Sequence, residues 1–148
     1  MVSSRGQSKG CLATFVERKT RFYVAIKMND RSKDSMFLAI SSLYNTLTSQ
    51  LLKTFTVDRG KEFACYEQVE NEFGIPMYFA YAYAAWQRGS NENSNSLLRE
   101  FFPKKTDLAK VILDKLTEVL ILINNRPRKC LGFKTPFDMF KHEIRKLI

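Results

Sequence analysis

Two acidic residues stand in short polar segments that could bind a metal ion. Asp58 lies in Thr-Val-Asp-Arg-Gly-Lys-Glu-Phe, residues 56–63, and Glu92 lies in Trp-Gln-Arg-Gly-Ser-Asn-Glu-Asn, residues 86–93. Thirty-three residues lie between them. Carboxylates are the hard oxygen ligands that hold magnesium, and two such ions can stabilise the attacking and leaving oxygens of a phosphodiester displacement. The residue types therefore point to metal-dependent chemistry on a phosphate.

The segments around the two acids would fix their positions. The apolar run at residues 52–57 predicts a strand that ends at Asp58, and Gly60 permits a turn directly after it. In an open α/β sheet, ligands bind at the carboxyl ends of the strands. Glu92 lies in the first turn of a helix predicted over residues 91–102. Its polar face would carry Glu92, Asn95, Ser96 and Arg99, and its buried face Leu97, Leu98, Phe101 and Phe102.

Spacing alone favours a structural interpretation of both acids. An Asp at the end of a strand usually forms a turn, and a Glu in the first turn of a helix usually complements the helix dipole. The pair Asp58 and Glu92 is therefore a candidate site only if other residues support it.

The hydrophobic pattern predicts an α/β fold. Residues 12–28 alternate on both sides of a polar Glu-Arg-Lys turn and predict a hairpin. Three- and four-residue spacing predicts helices at residues 36–47, 66–73 and 107–124, and a further strand is predicted at residues 75–83. The order strand, strand, helix, strand, helix, strand, helix, helix suggests a sheet with helices on both faces.

Composition restricts the class of partner. The 24 Lys and Arg against 15 Asp and Glu give a net charge of +9, which suits nucleic acid and also suits a solvated basic surface. Cys11, Cys65 and Cys130 lack the spacing of a zinc site, and His142 is the only histidine. A start too polar for a secretory signal and the scattered cysteines suggest the cytoplasm, and no run approaches the roughly 20 apolar residues of a membrane span.

Several ordered segments of the chain carry a common pattern. They are Val-Glu-Arg-Lys-Thr-Arg-Phe at residues 16–22, the two acidic segments, Phe-Pro-Lys at residues 102–104, and Asn-Asn-Arg-Pro-Arg-Lys-x-Leu-Gly at residues 124–132. In this order they resemble the integrase-type (DDE) transposases of the insertion-sequence-thirty family. The resemblance covers roughly residues 11–141.

The resemblance implies a fold and an activity. The fold would be the ribonuclease-H-like integrase catalytic core, a mixed sheet flanked by helices. An Asp, Asp, Glu triad would bind two Mg²⁺ (or Mn²⁺) ions, and its second and third acids map onto Asp58 and Glu92. The activity would be DNA binding, DNA integration and recombination through strand cleavage and transfer at insertion-element ends. The protein would be located in the bacterial cytoplasm, at the nucleoid.

The resemblance also supplies candidate DNA contacts. These residues are Lys61, Arg88, Asn91, Arg99, Arg126, Arg128 and Lys129, and for each of them a solvated surface position is the alternative. Trp86 is expected to pack, with stacking on a splayed base as the alternative. Glu62 is interpreted as structural because the family carries it beside an intact triad.

The family's first acid has no counterpart here. It belongs to a Trp-Glu-x-Asp-like segment on the opening strand, whereas residues 1–10 contain no Asp or Glu. We therefore expect a polar N-terminal remnant at residues 1–10 and a catalytic core at residues 11–148 that lacks its first strand. Because the first acid bridges both ions, its loss would impair metal binding and strand transfer. Arg59, where the family usually has Asn, would place a cation beside the metal.

Two alternatives to an active core remain open. The first is a catalytically inactive remnant that binds DNA, self-associates, or pairs with full-length transposase as an inhibitor. The second is a structure-specific nuclease of the same fold, which would cut DNA without joining it.

Overall fold

Two β-sheets and five α-helices form the described part of the chain, residues 1–47, 50–81 and 89–147 of a computed structural model. The strands are β1 (Val2–Ser3), β2 (Cys11–Val16), β3 (Tyr23–Met28), β4 (Phe55–Val57) and β5 (Met77–Phe79). The helices are α1 (Lys33–Thr46), α2 (Tyr66–Phe73), α3 (Gly89–Phe101), α4 (Leu113–Asn124) and α5 (Pro136–Arg145). Strands β1, β2 and β3 form an antiparallel sheet in that order, and β4 pairs with β5 in parallel.

The predicted hairpin is confirmed as β2 and β3. Its turn is closed by Glu17, whose backbone N–H donates to the Phe22 carbonyl at 2.8 Å. The Glu17 carboxylate also accepts from the backbone N–H and the hydroxyl of Thr20, both at 2.6 Å. A side chain therefore supplies the turn bonds that an Asn-Gly pair would otherwise make through the backbone.

Residues 1–10, predicted as a polar N-terminal remnant, contain a short strand. Val2 and Ser3 form β1 in register with Leu12 and Cys11 of β2. The buried Ser4 hydroxyl donates to the Gly10 carbonyl at 2.6 Å and accepts from the Leu108 N–H at 2.9 Å. These bonds satisfy the polar groups of a polar segment, so it packs without an apolar pattern. The domain boundary at residue 10 stays a prediction.

Helices cover both faces of the three-stranded sheet, as predicted. A first hydrophobic core joins Ala13 and Met28 to α1, α2, β4 and β5. A second hydrophobic core, on the other face of the sheet, joins Leu12 and Ala25 to α3 and α4. Consecutive residues such as Leu12 and Ala13 enter opposite cores because side chains alternate along a strand. Within the described residues β2 and β4 are not paired, so the strands form two sheets rather than one mixed sheet.

Two helices differ from the predicted order. The helix expected at residues 107–124 divides into a 3₁₀ turn, Leu108–Lys110, and α4, because Val111 and Ile112 adopt extended backbone angles. Helix α5 was absent from the prediction. It begins at Pro136 after the N-cap Thr135, a start signal that the sequence does contain. In contrast, α2 and its left-handed Gly74 cap lie where predicted.

The N-cap of α5 gives a first testable prediction. The Thr135 hydroxyl accepts a hydrogen bond from the Asp138 N–H at 3.1 Å, so Thr135→Ala should lower the free energy of unfolding by about 1 kcal/mol. Urea denaturation measures this change. The control Thr117→Ala, at an exposed position inside α4, should be neutral or slightly stabilising because Ala is the better helix former. Equal effects of the two substitutions would contradict the capping role.

Candidate active site

Asp58 follows the last residue of β4 and is half-buried. Its Oδ1 accepts from the Gly60 N–H at 2.9 Å, which turns the chain away from the strand. A Cβ on Gly60 would lie 2.6 Å from the Glu62 carboxylate, so a larger residue there would require the Glu62 side chain to move. Glu62 itself is 3% exposed, with its Oε1 3.5 Å from Arg31 Nη2. The segment thus buries one carboxylate in an ion pair and leaves Asp58 at the strand end.

Glu92 lies in the first turn of α3 and is exposed. Buried Ser94 and Leu98 hold the helix against the second core. Asn95, expected on the polar face with Glu92, instead turns towards the sheet, where its Oδ1 accepts from the Tyr23 hydroxyl at 2.6 Å. That expectation was wrong because the buried Tyr23 hydroxyl needs an acceptor, and burial raises the pKa of Tyr23.

The β2–β3 hairpin also contacts the first turn of α3. The Thr14 hydroxyl donates to Asn91 Oδ1 at 3.4 Å, and Arg21 Nη1 donates to the Ser90 hydroxyl. Arg21 adopts a left-handed backbone angle of +62° at the end of the turn. No role was predicted for Arg21 or Thr14, because contacts with residues 69 and 77 positions away leave no local signal in the sequence. These contacts fix the helix turn that carries Glu92.

One cavity of about 520 Å³ joins the two acidic segments. Val57, directly before Asp58, and Asn91, directly before Glu92, both line it. Phe15 and Phe55 are in ring contact at its wall, with centroids 5.8 Å apart. The fold therefore brings the end of β4 and the start of α3 to the same space. Across residues 1–47, 50–81 and 89–147, no three His, Cys, Asp or Glu side chains are grouped to hold a metal ion.

The candidate DNA contacts lie in different environments. Lys61 and Lys129 are exposed, and Arg126 is 3.1 Å from Glu100 in an ion pair. Arg128 has a buried Nη1 without a hydrogen-bond partner among the described residues. Asn91 is half-buried at the cavity. Arg88 and Trp86 lie outside the described residues.

Arg99 makes its bonds inside the protein. Its guanidinium donates to the carbonyls of Ser3 at 2.9 Å and of Phe102 and Pro103 at 3.3 Å. Burial, followed by the charge of Arg5, lowers the pKa of Arg99. These contacts join β1 to the end of α3.

Known proteins with similar sequences are transposases. No family model matches the chain. The transposase of insertion sequence element IS30A from Escherichia coli is 37% identical over 139 residues, which are 94% of this chain and 36% of that protein. The IS4351 transposase of Bacteroides fragilis is 34% identical over 93% of this chain and 42% of its own length. The IS1086 transposase of Cupriavidus metallidurans is 32% identical over 89% of this chain and 39% of its own length. The chain thus spans about two fifths of each of these relatives.

A solved structure shows the same fold. The catalytic core domain of BIV integrase aligns with a TM-score of 0.66 over 94% of this chain and 97% of that chain, at 16% identity. The predicted ribonuclease-H-like integrase core is therefore confirmed as the fold. Within the described residues, no helix is both long and apolar enough to cross a membrane.

Proposed function

Because this chain is a homologue of insertion-sequence transposases, those of the IS30 elements among them, we propose that it is the catalytic-core portion of a transposase that cleaves and joins DNA at element ends. One observation within the molecule supports this proposal most directly. The strand that ends before Asp58 and the helix turn that carries Glu92 border the same cavity, which Val57 and Asn91 line.

Asp58 and Glu92 would hold a divalent ion, Mg²⁺ or Mn²⁺. The donor set fits, because magnesium usually binds through one or two carboxylates while water and substrate phosphates complete its shell. Asp58 is half-buried and Glu92 exposed, so both carboxylates border solvent where a phosphate could approach. A bound ion would supply positive charge to the phosphoryl oxygens. The family resemblance implies a second ion, held with the help of a third acid.

Six basic residues and Asn91 would bind DNA phosphate. We assign this role to Lys61, Arg88, Asn91, Arg99, Arg126, Arg128 and Lys129, and expect binding that weakens with salt. Arg126 would first have to leave its ion pair with Glu100. Arg99 would likewise have to give up its hydrogen bonds to backbone carbonyls. A protein acting on chromosomal DNA would work in the cytoplasm, at the nucleoid.

A second candidate is a catalytically inactive module that binds DNA or pairs with a longer transposase. It is favoured by the lack of any three-ligand metal group in the part of the chain that the structure describes. This candidate predicts salt-sensitive DNA binding without cleavage.

Metal binding tests the assignment of Asp58. Calorimetric titration of the 148-residue chain with Mn²⁺ should show that Asp58→Asn weakens binding at least about tenfold, or about 1.4 kcal/mol, because a charged ligand becomes neutral. Asp34→Asn, an equal charge change at an exposed position in α1, should leave binding unchanged. Unaltered binding by Asp58→Asn would contradict the assignment. No binding by the unmodified chain would favour the inactive module.

A further inference from the structure

A basic hollow of about 530 Å³ lies between the β2–β3 turn and α5. Its cations are Lys19, Lys134, Lys141, Arg145 and Lys146, and its acids are Asp138 and Glu143. None of these residues was among the sequence-predicted DNA contacts.

Packing fixes the two walls of the basic hollow. The rings of Phe22 in the hairpin and Phe140 in α5 stack with centroids 4.2 Å apart and planes 8° apart. Beside them, Lys19 Nζ lies 2.9 Å from Glu143 Oε2. The cations therefore project from elements that are held in place, so few backbone degrees of freedom would be lost on binding.

The basic hollow keeps an excess of positive charge. Glu143 pairs with both Lys19 and Lys146, and these bonds hold its pKa below its usual range. Lys134, Lys141 and Arg145 form no ion pair within the described residues. Three cations thus remain to attract an anion, against the single remaining carboxylate of Asp138.

Charge is distributed unevenly along the chain. Residues 126–146 contain seven Lys and Arg against two Asp and Glu, which accounts for +5 of the net charge of +9. Helix α2, in contrast, carries Glu67, Glu70 and Glu72 and has no Lys or Arg. A polyanion would be attracted to the α5 surface and repelled from the α2 surface.

The basic hollow adjoins the cavity that lies next to the two acidic segments. Lys19, Glu143 and Lys146 line both this hollow and the cavity that Val57 and Asn91 line. A phosphate backbone in the hollow would therefore border the cavity that Ser90 and Asn91, in the first turn of α3, also line.

We propose that the basic hollow binds the phosphate backbone of double-stranded DNA and positions the duplex beside the Asp58 and Glu92 site. This inference rests on the proposed function for DNA as the partner. The contacts would be to phosphate rather than to bases, because the cations of the hollow are lysine and arginine on an open surface. Binding through the hollow is thus independent of DNA sequence.

The salt dependence of DNA binding tests this proposal. Fluorescence anisotropy would measure binding of the 148-residue chain to a duplex of arbitrary sequence between about 50 and 200 mM salt. Lys141→Gln with Arg145→Gln should make the slope of log affinity against log salt about 1.8 less negative, since each lost phosphate contact contributes about 0.9. The matched control, Lys110→Gln with Lys115→Gln, removes the same charge from the 3₁₀ turn and α4 and should leave the slope nearly unchanged. The charge-preserving Arg145→Lys should also keep it.

The outcomes separate the two proposals. If the unmodified chain shows no salt-dependent binding, DNA is not its partner and both proposals fail. If the unmodified chain binds while the Lys141 and Arg145 variant shows the same salt slope as the unmodified chain or as the Lys110 and Lys115 variant, only the proposal for the basic hollow fails. Circular dichroism of each variant verifies that these exposed substitutions leave the fold intact.

Discussion

Glu92→Gln is expected to lower metal-dependent strand transfer at least about a thousandfold. The substitution keeps the size of the side chain but removes the negative charge that would hold the ion. A metal ion stabilises transition-state charge by several kcal/mol, and about 4 kcal/mol corresponds to three powers of ten in rate. The exposed position of Glu92 means that the fold itself should be unaffected.

The assay needs a protein of the relatives' length. A suitable chimera places this chain in the matching segment of the transposase of the IS30A element, which supplies the remaining length of protein. DNA that carries the ends of that element serves as the substrate. Glu118→Gln, an exposed acid on α4, is the control and should retain full activity. The chimera and its Glu92→Gln and Glu118→Gln variants should bind DNA with similar affinity, so the loss of activity appears in the rate of strand transfer. Retention of activity within about threefold by Glu92→Gln would remove this residue from the site.

Asn124→Ala is expected to lower the free energy of unfolding by about 2–4 kcal/mol, since it leaves two buried backbone groups without partners. Asn124 is 5% exposed at the end of α4. Its Oδ1 accepts from the Tyr23 N–H and its Nδ2 donates to the Tyr23 carbonyl, both at 2.9 Å. The loss is large beside a typical total stability of about 5–15 kcal/mol.

Urea denaturation with Asn125→Ala as the control measures this effect. Asn125 is exposed, and among the described residues its side chain donates only to the Ile121 carbonyl of its own helix, so the loss of this side chain should cost no more than about 0.5 kcal/mol. If the two alanine variants unfold at the same urea concentration, the Asn124 bonds do not stabilise β3.

Local patterns account for the parts of the fold that could be predicted. The hairpin alternation around Glu17, the left-handed Gly74 and the strand before Asp58 depend on residues within a few positions of each other. In contrast, β1 depends on Ser4, whose hydroxyl is bonded to a residue 104 positions away. Short polar strands of this kind have no apolar period that could reveal them.

The positions of the two candidate acids within their elements could be predicted, but the contacts that hold the first turn of α3 could not. Asp58 and Glu92 lie at the strand end and in the first helical turn, as their segments indicated. The contacts from Thr14 and Arg21 to α3 depend on how the hairpin crosses the helix. The basic hollow also escaped prediction, because α5 was missing from the predicted order and Lys19 and Arg145 are 126 positions apart.

The Asn124 contact has a consequence for association between chains. In the antiparallel sheet β3 is an edge strand, and exposed edges invite another strand to pair with them. The backbone groups of Tyr23 are already bonded to Asn124, while Lys27 Nζ bridges from the same strand to the carbonyls of Ala109 and Val111. A strand from a second molecule would first have to break the Asn124 bonds. The side chain that stabilises β3 thereby also occupies backbone groups with which a second strand would pair.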